Sequence, residues 1–515
     1  MLAYRSKFKK FTKPKQKKQS DVIRSNCNWS KYQLAVFDNV TNGGGHTVVE
    51  ACPGSGKTTT LIESLFHIPQ KYLTDRKTLA TAYNTSIANV LNQKAPVGVV
   101  VKTTHGLGFA TCRYHWGSVY DIKGPANVDK DNKAIYNLAQ DILGKHSSLR
   151  LCNSLVEAVD MAKTVLADDF DRIVNVIDDY NIDLAGLSVE DFANITLKLM
   201  ETTRESPLTL NGRSVISFTD MIWLPHANGW MPPEKYDRII LDEAQDQSPA
   251  RTELVLNALA YGGRLLAAGD PRQAINAWCG SDIDSLPNLV SELKAGVLPL
   301  SISYRLPLSV IELAREINPD IEPATNAIEG NVSSIEADEI YHNLSPGDVF
   351  LSRLNYPLIK ACFGLVARGK KANIQGRDLF NRFVYRINCW QPSTIEDLRK
   401  SIVDWHGAIT LRLLEAGKTS TLIDDEAKSL LEFTRHASTI SEVHKTMLAF
   451  FSDEINNSLI KLSSVHRAKG LEWDNVYMLN NTFHPERGGE EKNIYYVSIT
   501  RSKENLTFVE GKLPE

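Results

Sequence analysis

No uninterrupted apolar run in this 515-residue chain is long enough to cross a bilayer. The amino-terminal segment is rich in lysine and has no apolar h-region, so it does not read as a secretory signal. The seven cysteines are scattered, with no C-x-x-C pair and no zinc-type spacing. That argues against a disulfide framework and for reduced thiols in a cytoplasmic or nuclear compartment. A large charge excess is also missing: 58 basic and 61 acidic residues leave a net charge of −3, so bulk charge does not argue for a nucleic-acid partner. The charge is unevenly placed, however. "MLAYRSKFKKFTKPKQKKQS", residues 1–20, holds eight Lys and Arg and no acid. Residues 1–25 are expected to form a disordered basic tail, either solvated or holding a nucleic-acid backbone by counterion release.

What is present is an alternation of short apolar runs with helical patterns. "HTVVEA", "KTLATAY", "VGVVVKT", "DRIILDEA" and "RLLAAGD" read as buried strands, followed by "GVLPLSIS", "GDVFLSR", "LIKLSSVH" and "NVYMLN". Buried strands separated by helices predict parallel α/β sheets with ligands at the strand C-termini. The strands are too many for one small sheet, and the length is too great for one core. Two helix-rich stretches interrupt the rhythm. The division expected is a first α/β unit over 26–112 and 216–285 with a helical insertion at 113–215. A second unit covers 286–380 and 456–515, with a reduced helical insertion at 381–455. Ser188 and Asp191 predict a capping box for the last long helix of the first insertion.

"VVEACPGSGKTTTLIES", residues 48–64, has the form of a polyphosphate cradle. It nearly satisfies G-x-x-x-x-G-K-[ST], with Ala51 where the strict pattern has glycine. Gly54 and Gly56 permit backbone angles and approaches that a side chain would block. N–H groups of the loop and of the helix start can then face a β-phosphate, so Gly54, Ser55, Gly56, Lys57, Thr58 and Thr59 are candidates for binding ATP, together with Pro53, which shapes the loop without an N–H of its own. Lys57 would reach the β- and γ-phosphates, and Thr58 would ligate Mg²⁺. "YDRIILDEAQD", residues 236–246, supplies the acid such a site needs after a buried strand. Asp242 would complete the Mg²⁺ shell, and Glu243 would orient and deprotonate the attacking water.

"LDEAQD" together with "AAGDPRQAINAWCG" (267–280) resembles superfamily 1 helicases of the UvrD/Rep/PcrA type. The likeness continues in order: "NWSKYQLAVF", "AYNTSIANVL", "VKTTHGLGFA", "FTDMIWLP", "SISYRLP", "LSSVHRAKGLEWDNV" and "EEKNIYYVSITRSKENL". It covers residues 28–510 apart from the two insertions and is nearest to the compact F-box DNA helicase branch, without an F-box in the sequence. The resemblance implies two RecA-like P-loop NTPase domains with the nucleotide between them. Gln33 resembles the family's adenine-reading glutamine. Gln273, following a strand end, is placed to sense the γ-phosphate. Arg305 and Arg501 come from the second unit and would reach the γ-phosphate as fingers. The family places Tyr304 on the base and Glu472 on the ribose. Trp278 lies five residues after Gln273, so one loop could join phosphate sensing to base stacking. Tyr83, Thr104, His105 and His466 are candidates for lining the same track.

These readings imply an ATP- and Mg²⁺-dependent motor, monomeric and without a membrane. It would act on single-stranded DNA and single-strand/duplex junctions, with protein partners in replication or repair; DNA rather than RNA as the track, and movement 3′→5′, are what the family resemblance implies. The sequence departs from the family at Asn276 and Cys279, where Tyr and Arg are usual, and at Thr85, where Lys is common. Two other functions use the same residues: a translocase that strips proteins from single strands, and an ATP-gated binding subunit of a repair or defence complex.

Overall fold

A computed structural model describes residues 28–82, 85–120, 127–144, 147–415, 417–452 and 458–514. The expected basic tail and Tyr83 lie outside the described residues. Two six-stranded sheets, each parallel throughout, form the centres of two RecA-like α/β units. The first runs in the order Val99–Thr103, Thr78–Ala82, Tyr236–Leu241, Leu259–Gly269, Thr47–Ala51, Gly296–Leu300. Alternate residues go to opposite faces, as the pleat requires. Val48, Leu79, Ile239 and Leu265 pack in one core, while Val49, Ala80, Ile240 and Leu266 pack in another. With helices over both faces, all five positions of the strand Thr78–Ala82 are buried. Each fully buried aliphatic side chain contributes roughly 1.5–3 kcal/mol, which sets the register firmly.

The second sheet has the order Asn331–Glu336, Ser502–Glu510, Trp473–Leu479, Val349–Ser352, Ile460–Ser464, Ala372–Ile374. The boundary at 286 needs correction. Gly296–Leu300 pairs in parallel with Thr47–Ala51, from Thr47 opposite Gly296 to Ala51 opposite Leu300, and so belongs to the first sheet. The apolar run itself did not say which sheet would take it; the free edge of Thr47–Ala51 did.

Helices dominate both interruptions. The first contains Lys133–Leu143, Leu149–Val165, Phe170–Asp179 and Val189–Glu205. It also carries a small sheet of Asn127–Asp129, Arg213–Ser217 and Thr209–Leu210 that the helical pattern concealed. Ser188 does cap Val189–Glu205, accepting from Asp191 N at 3.0 Å, with its hydroxyl turned to the Asp191 carboxylate at 2.7 Å. The second interruption contains Arg377–Trp390, Ile395–Glu415, Thr421–Arg435 and Ile440–Phe450. Among the described residues no helix is long and apolar enough to cross a membrane.

Candidate active site

The strand Thr47–Ala51 ends in the loop 52–56, and the helix Lys57–Ser64 begins at once. Gly54 and Gly56 have φ of 74° and 76°, left-handed angles that disfavour any residue with a Cβ. Ser55 Oγ is buried in this loop without a hydrogen-bond partner. Lys57 Nζ lies 2.5 Å from Glu243 Oε2 and 3.2 Å from Asp242 Oδ1. Both acids follow the strand Tyr236–Leu241, and Asp242 Oδ2 is buried with no partner. Burial would lower the Lys57 pKa, but the charges of Asp242 and Glu243 outweigh it and raise it. Burial likewise works to raise the Glu243 carboxyl; the Lys57 charge, with bonds from Lys57 and Gln245, holds it down at about 2. Glu243 is therefore ionised at neutral pH. Its backbone is left-handed, with φ 52° and ψ 46°, which for a non-glycine residue costs on the order of 1–2 kcal/mol.

The chain leaves the first sheet at Leu300 and reaches the phosphate loop within a few residues. Ser303 Oγ donates to Pro53 O at 2.7 Å, and Tyr304 N donates to Gly54 O at 3.0 Å. A Cβ on Gly54 would fall 2.5 Å from the Arg305 Cβ, so glycine is what lets this segment close on the loop. Arg305 donates to Glu472 Oε2 at 3.1 Å and to Thr500 O at 2.9 Å. Arg501 is 1% exposed. Its donors reach Val497 O, Leu471 O and Gln273 Oε1 at 2.9, 3.2 and 3.4 Å. Burial, then the nearby Arg305 charge, pushes the Arg501 pKa down to about 9. Two guanidinium groups repelling each other in a buried site are suited to an anion between them. Gln273 Nε2 donates in turn to Asp270 Oδ2 at 2.7 Å.

The structure thus brings Lys57, Asp242 and Glu243 together, sets the Arg305 segment on the same loop, and links Arg501 to Gln273. Other expected residues are differently engaged. Gln33 forms a capping box with Ser30 and donates to Thr60 Oγ1 at 3.0 Å, so its amide braces the helix after the loop. Glu472 faces Arg305, and Tyr304 is about half exposed.

Across the loop from the cleft, Trp278 is 48% exposed and stands edge-on to His466, with ring centroids 6.3 Å apart. This pair joins the two units. Thr104 is buried at the start of the helix Thr104–Tyr120, which corrects its expected place on an open track. The neighbouring His105 is less buried and stands edge-on at 5.4 Å to Phe218, an exposed aromatic. Phe218 opens "FTDMIWLP", the stretch that resembles a further DNA-binding segment of the family, but it was not itself a candidate; an aromatic directly after a buried strand end was the available signal. Lys469 was also missed. It lies inside "HRAKGLEWD" and bonds the first unit at Asp246 and at the Gln273 carbonyl, both at 2.6 Å.

The UvrD/REP helicase N-terminal domain matches residues 35–294, and the UvrD-like helicase C-terminal domain matches residues 459–509. F-box DNA helicase protein 1 of Schizosaccharomyces pombe is 22% identical over 533 aligned residues, covering 92% of this chain and 56% of that protein. DNA helicase II of Haemophilus influenzae is 23% identical over 135 residues, covering 26% of this chain and 16% of that one. The chain thus spans little more than half the length of one of these relatives and a smaller share of the other. Among solved structures, the Arterivirus nonstructural protein 10 helicase is 12% identical with a TM-score of 0.33; the match covers 93% of this chain and 61% of that one.

Proposed function

The chain belongs to the UvrD/REP helicase family, and we propose that it is an ATP-dependent DNA helicase that moves 3′→5′ along single-stranded DNA and opens duplex. One observation carries this reading: Lys57, Asp242 and Glu243 of one unit meet at the phosphate loop, Arg305 of the other unit packs against Gly54 of that loop, and Arg501 of the other unit reaches Gln273. Hydrolysis then depends on how the units stand relative to each other, and that dependence couples chemistry to motion. Lys57 and the N–H groups of the loop hold the phosphates. Ser55 Oγ and Asp242 Oδ2, both buried and unpartnered, fit a phosphate and a cation. Thr58 and Asp242 would hold a magnesium ion, which offsets phosphate charge and is usually bound by few protein ligands. Glu243 orients the attacking water and takes its proton. Gln273 senses the γ-phosphate, and Arg305 and Arg501 offset the charge of the transition state. Gln33, Tyr304 and Glu472 hold the nucleoside. Trp278 stacks on a base while His105, Phe218 and His466 line the strand.

DNA as the track is supported by the two relatives named DNA helicases, and the polarity by the family resemblance. The test is phosphate release with and without single-stranded DNA, together with strand separation on 3′-tailed, 5′-tailed and blunt substrates with DNA and RNA tails. Stimulated hydrolysis, lost in Lys57→Ala, and unwinding from 3′ DNA tails are expected. Hydrolysis that ignores every strand would overturn the motor reading. Stimulation with protein displacement but no strand separation would favour a translocase.

A further inference from the structure

Asn276 lies between Gln273 and Trp278, and neither phosphate chemistry nor base stacking uses it. Its Nδ2 donates to Asp246 Oδ1 at 3.0 Å, and the same oxygen accepts the Lys469 ammonium at 2.6 Å. Lys469 comes from the second unit. Asp246 is buried, at 4% exposure, so its charge depends on the donors around it, of which these two share Oδ1. On its other side stands Gln245, whose Nε2 is 3.4 Å from Asp246 Oδ2 and 2.7 Å from Glu243 Oε2. Gln245 has no freedom to turn away. Its Oε1 accepts from Asp270 N at 3.3 Å, and a Cβ on Gly269 would lie 2.2 Å from that oxygen. A relay of Asn276, Asp246, Gln245 and Glu243 therefore runs from the loop bearing Trp278 to the carboxylate proposed as the base. The loop is fastened across the units as well, by Ala277 N donating to Glu490 Oε1 at 2.9 Å.

We infer that Asn276 is a positioning residue that couples occupation of Trp278 by a strand to the setting of Glu243, through the Asp246 carboxylate it shares with Lys469. The inference rests on the proposed function. A base stacking on Trp278 shifts the loop two residues from Asn276. Asp246 follows or loses a hydrogen bond to a charged group, the stronger class of such bonds. Gln245 passes the displacement to Glu243. The usual family residue here is tyrosine, so this contact is a feature of this chain rather than of the family pattern.

The experiment measures basal and strand-stimulated hydrolysis, and strand affinity without nucleotide, in wild type, Asn276→Ala and Asn276→Asp. Asn276→Ala is expected to lower the stimulated kcat about tenfold, the scale of one hydrogen bond to a charged group, with basal kcat and strand affinity within about twofold. Asn276→Asp sets a second carboxyl against Asp246. The other groups facing Asp246 are Lys469, Glu243, Lys57 and the Cys279 thiol, with Glu490 beside Ala277. Two carboxyls so placed share one proton, so the ratio of variant to wild-type stimulated rate should rise from about pH 8 to about pH 6. A loop altered only in packing would show no such pH dependence. The inference is overturned if Asn276→Ala keeps wild-type stimulation, or if basal and stimulated rates fall in equal proportion while the Asn276→Asp ratio stays flat with pH. Absence of stimulation in wild type would instead remove the proposed function itself.

Discussion

The proposed nucleotide cleft and the proposed strand-facing surface are built on opposite terms. In the cleft, polar groups meet at fixed distances: an ammonium on two carboxylates, an amide on Asp270, a buried guanidinium on carbonyls of its own unit. On the strand side, Trp278 and Phe218 stand about half exposed, each edge-on to a histidine. Charge chemistry needs particular atoms in particular places, because Coulomb energy in a dry site changes steeply with distance. Stacking needs only a π-face, which every base offers. Substitutions in the cleft should therefore appear in kcat, and substitutions on the strand side in strand affinity.

The sharpest way to break that contrast is Arg501→Lys. It keeps a positive charge but loses the planar fork that reaches Val497, Leu471 and Gln273. With strand and ATP both saturating, kcat should fall about 10³-fold or more, the lower bound for an arginine finger. A loss under about tenfold would mean that the second unit adds little beyond local structure, and the cleft would reduce to the first unit alone. Next in size is Glu243→Gln, expected to lower kcat by about 10²–10⁴-fold. Lys57 loses a carboxylate partner at 2.5 Å, so nucleotide affinity should hold or rise. A weakened affinity with unchanged kcat would move Glu243 from proton transfer to ligand binding.

The same contrast governs what could be read in advance. Gly54, Gly56, Lys57, Asp242 and Glu243 stand out in sequence because phosphate chemistry permits few residue types at those spacings. The alternating apolar runs likewise indicate two parallel α/β sheets. Sheet membership at the seam was not legible: "GVLPL" is apolar enough for either sheet, and the free edge of Thr47–Ala51 decided it. The small sheet at Arg213–Ser217 lay hidden in a helix-rich stretch because its strands are short, and one partner, Asn127–Asp129, is distant in the chain while the other, Thr209–Leu210, is only two residues long. On the strand side, Thr104 and His105 are neighbours of similar promise in sequence, and only packing buries the first. Asn276 read as a loss of an aromatic; its bond to Asp246 depends on a contact 30 residues back along the chain.

On the strand side, Trp278→Ala should weaken single-strand binding by roughly 1–3 kcal/mol, the contribution of one stacked base. Fluorescence anisotropy with oligonucleotides of mixed sequence measures it, and basal phosphate release should stay within about twofold. An equal loss in basal hydrolysis would join the two regions into one and end the distinction. Phe218→Ala should act in the same direction.

The smallest effect tests whether the strand side works by aromatic faces or by charge. Burial, followed by the Arg353 and Lys469 charges, pushes His466 down to about 3; burial and Arg251 push His105 down to about 4. Both are neutral at physiological pH, so in the proposed strand path they would offer faces and hydrogen bonds rather than cations to phosphates. The sign for stability follows. The unfolded imidazole takes a proton near 6.5 and the folded one does not until much lower, so the unfolded state binds more protons in between. The stability from burying neutral His466 is complete above about 6.5 and is lost as pH falls toward 3, by about 1 kcal/mol between about pH 7 and 5.5. Chemical denaturation of wild type and His466→Gln across that range should therefore show a shallower acid loss in the variant. Identical slopes, with strand affinity rising as the wild type is acidified, would mean that His466 titrates freely in water. The strand side would then hold DNA by charge, on the same terms as the cleft holds phosphate.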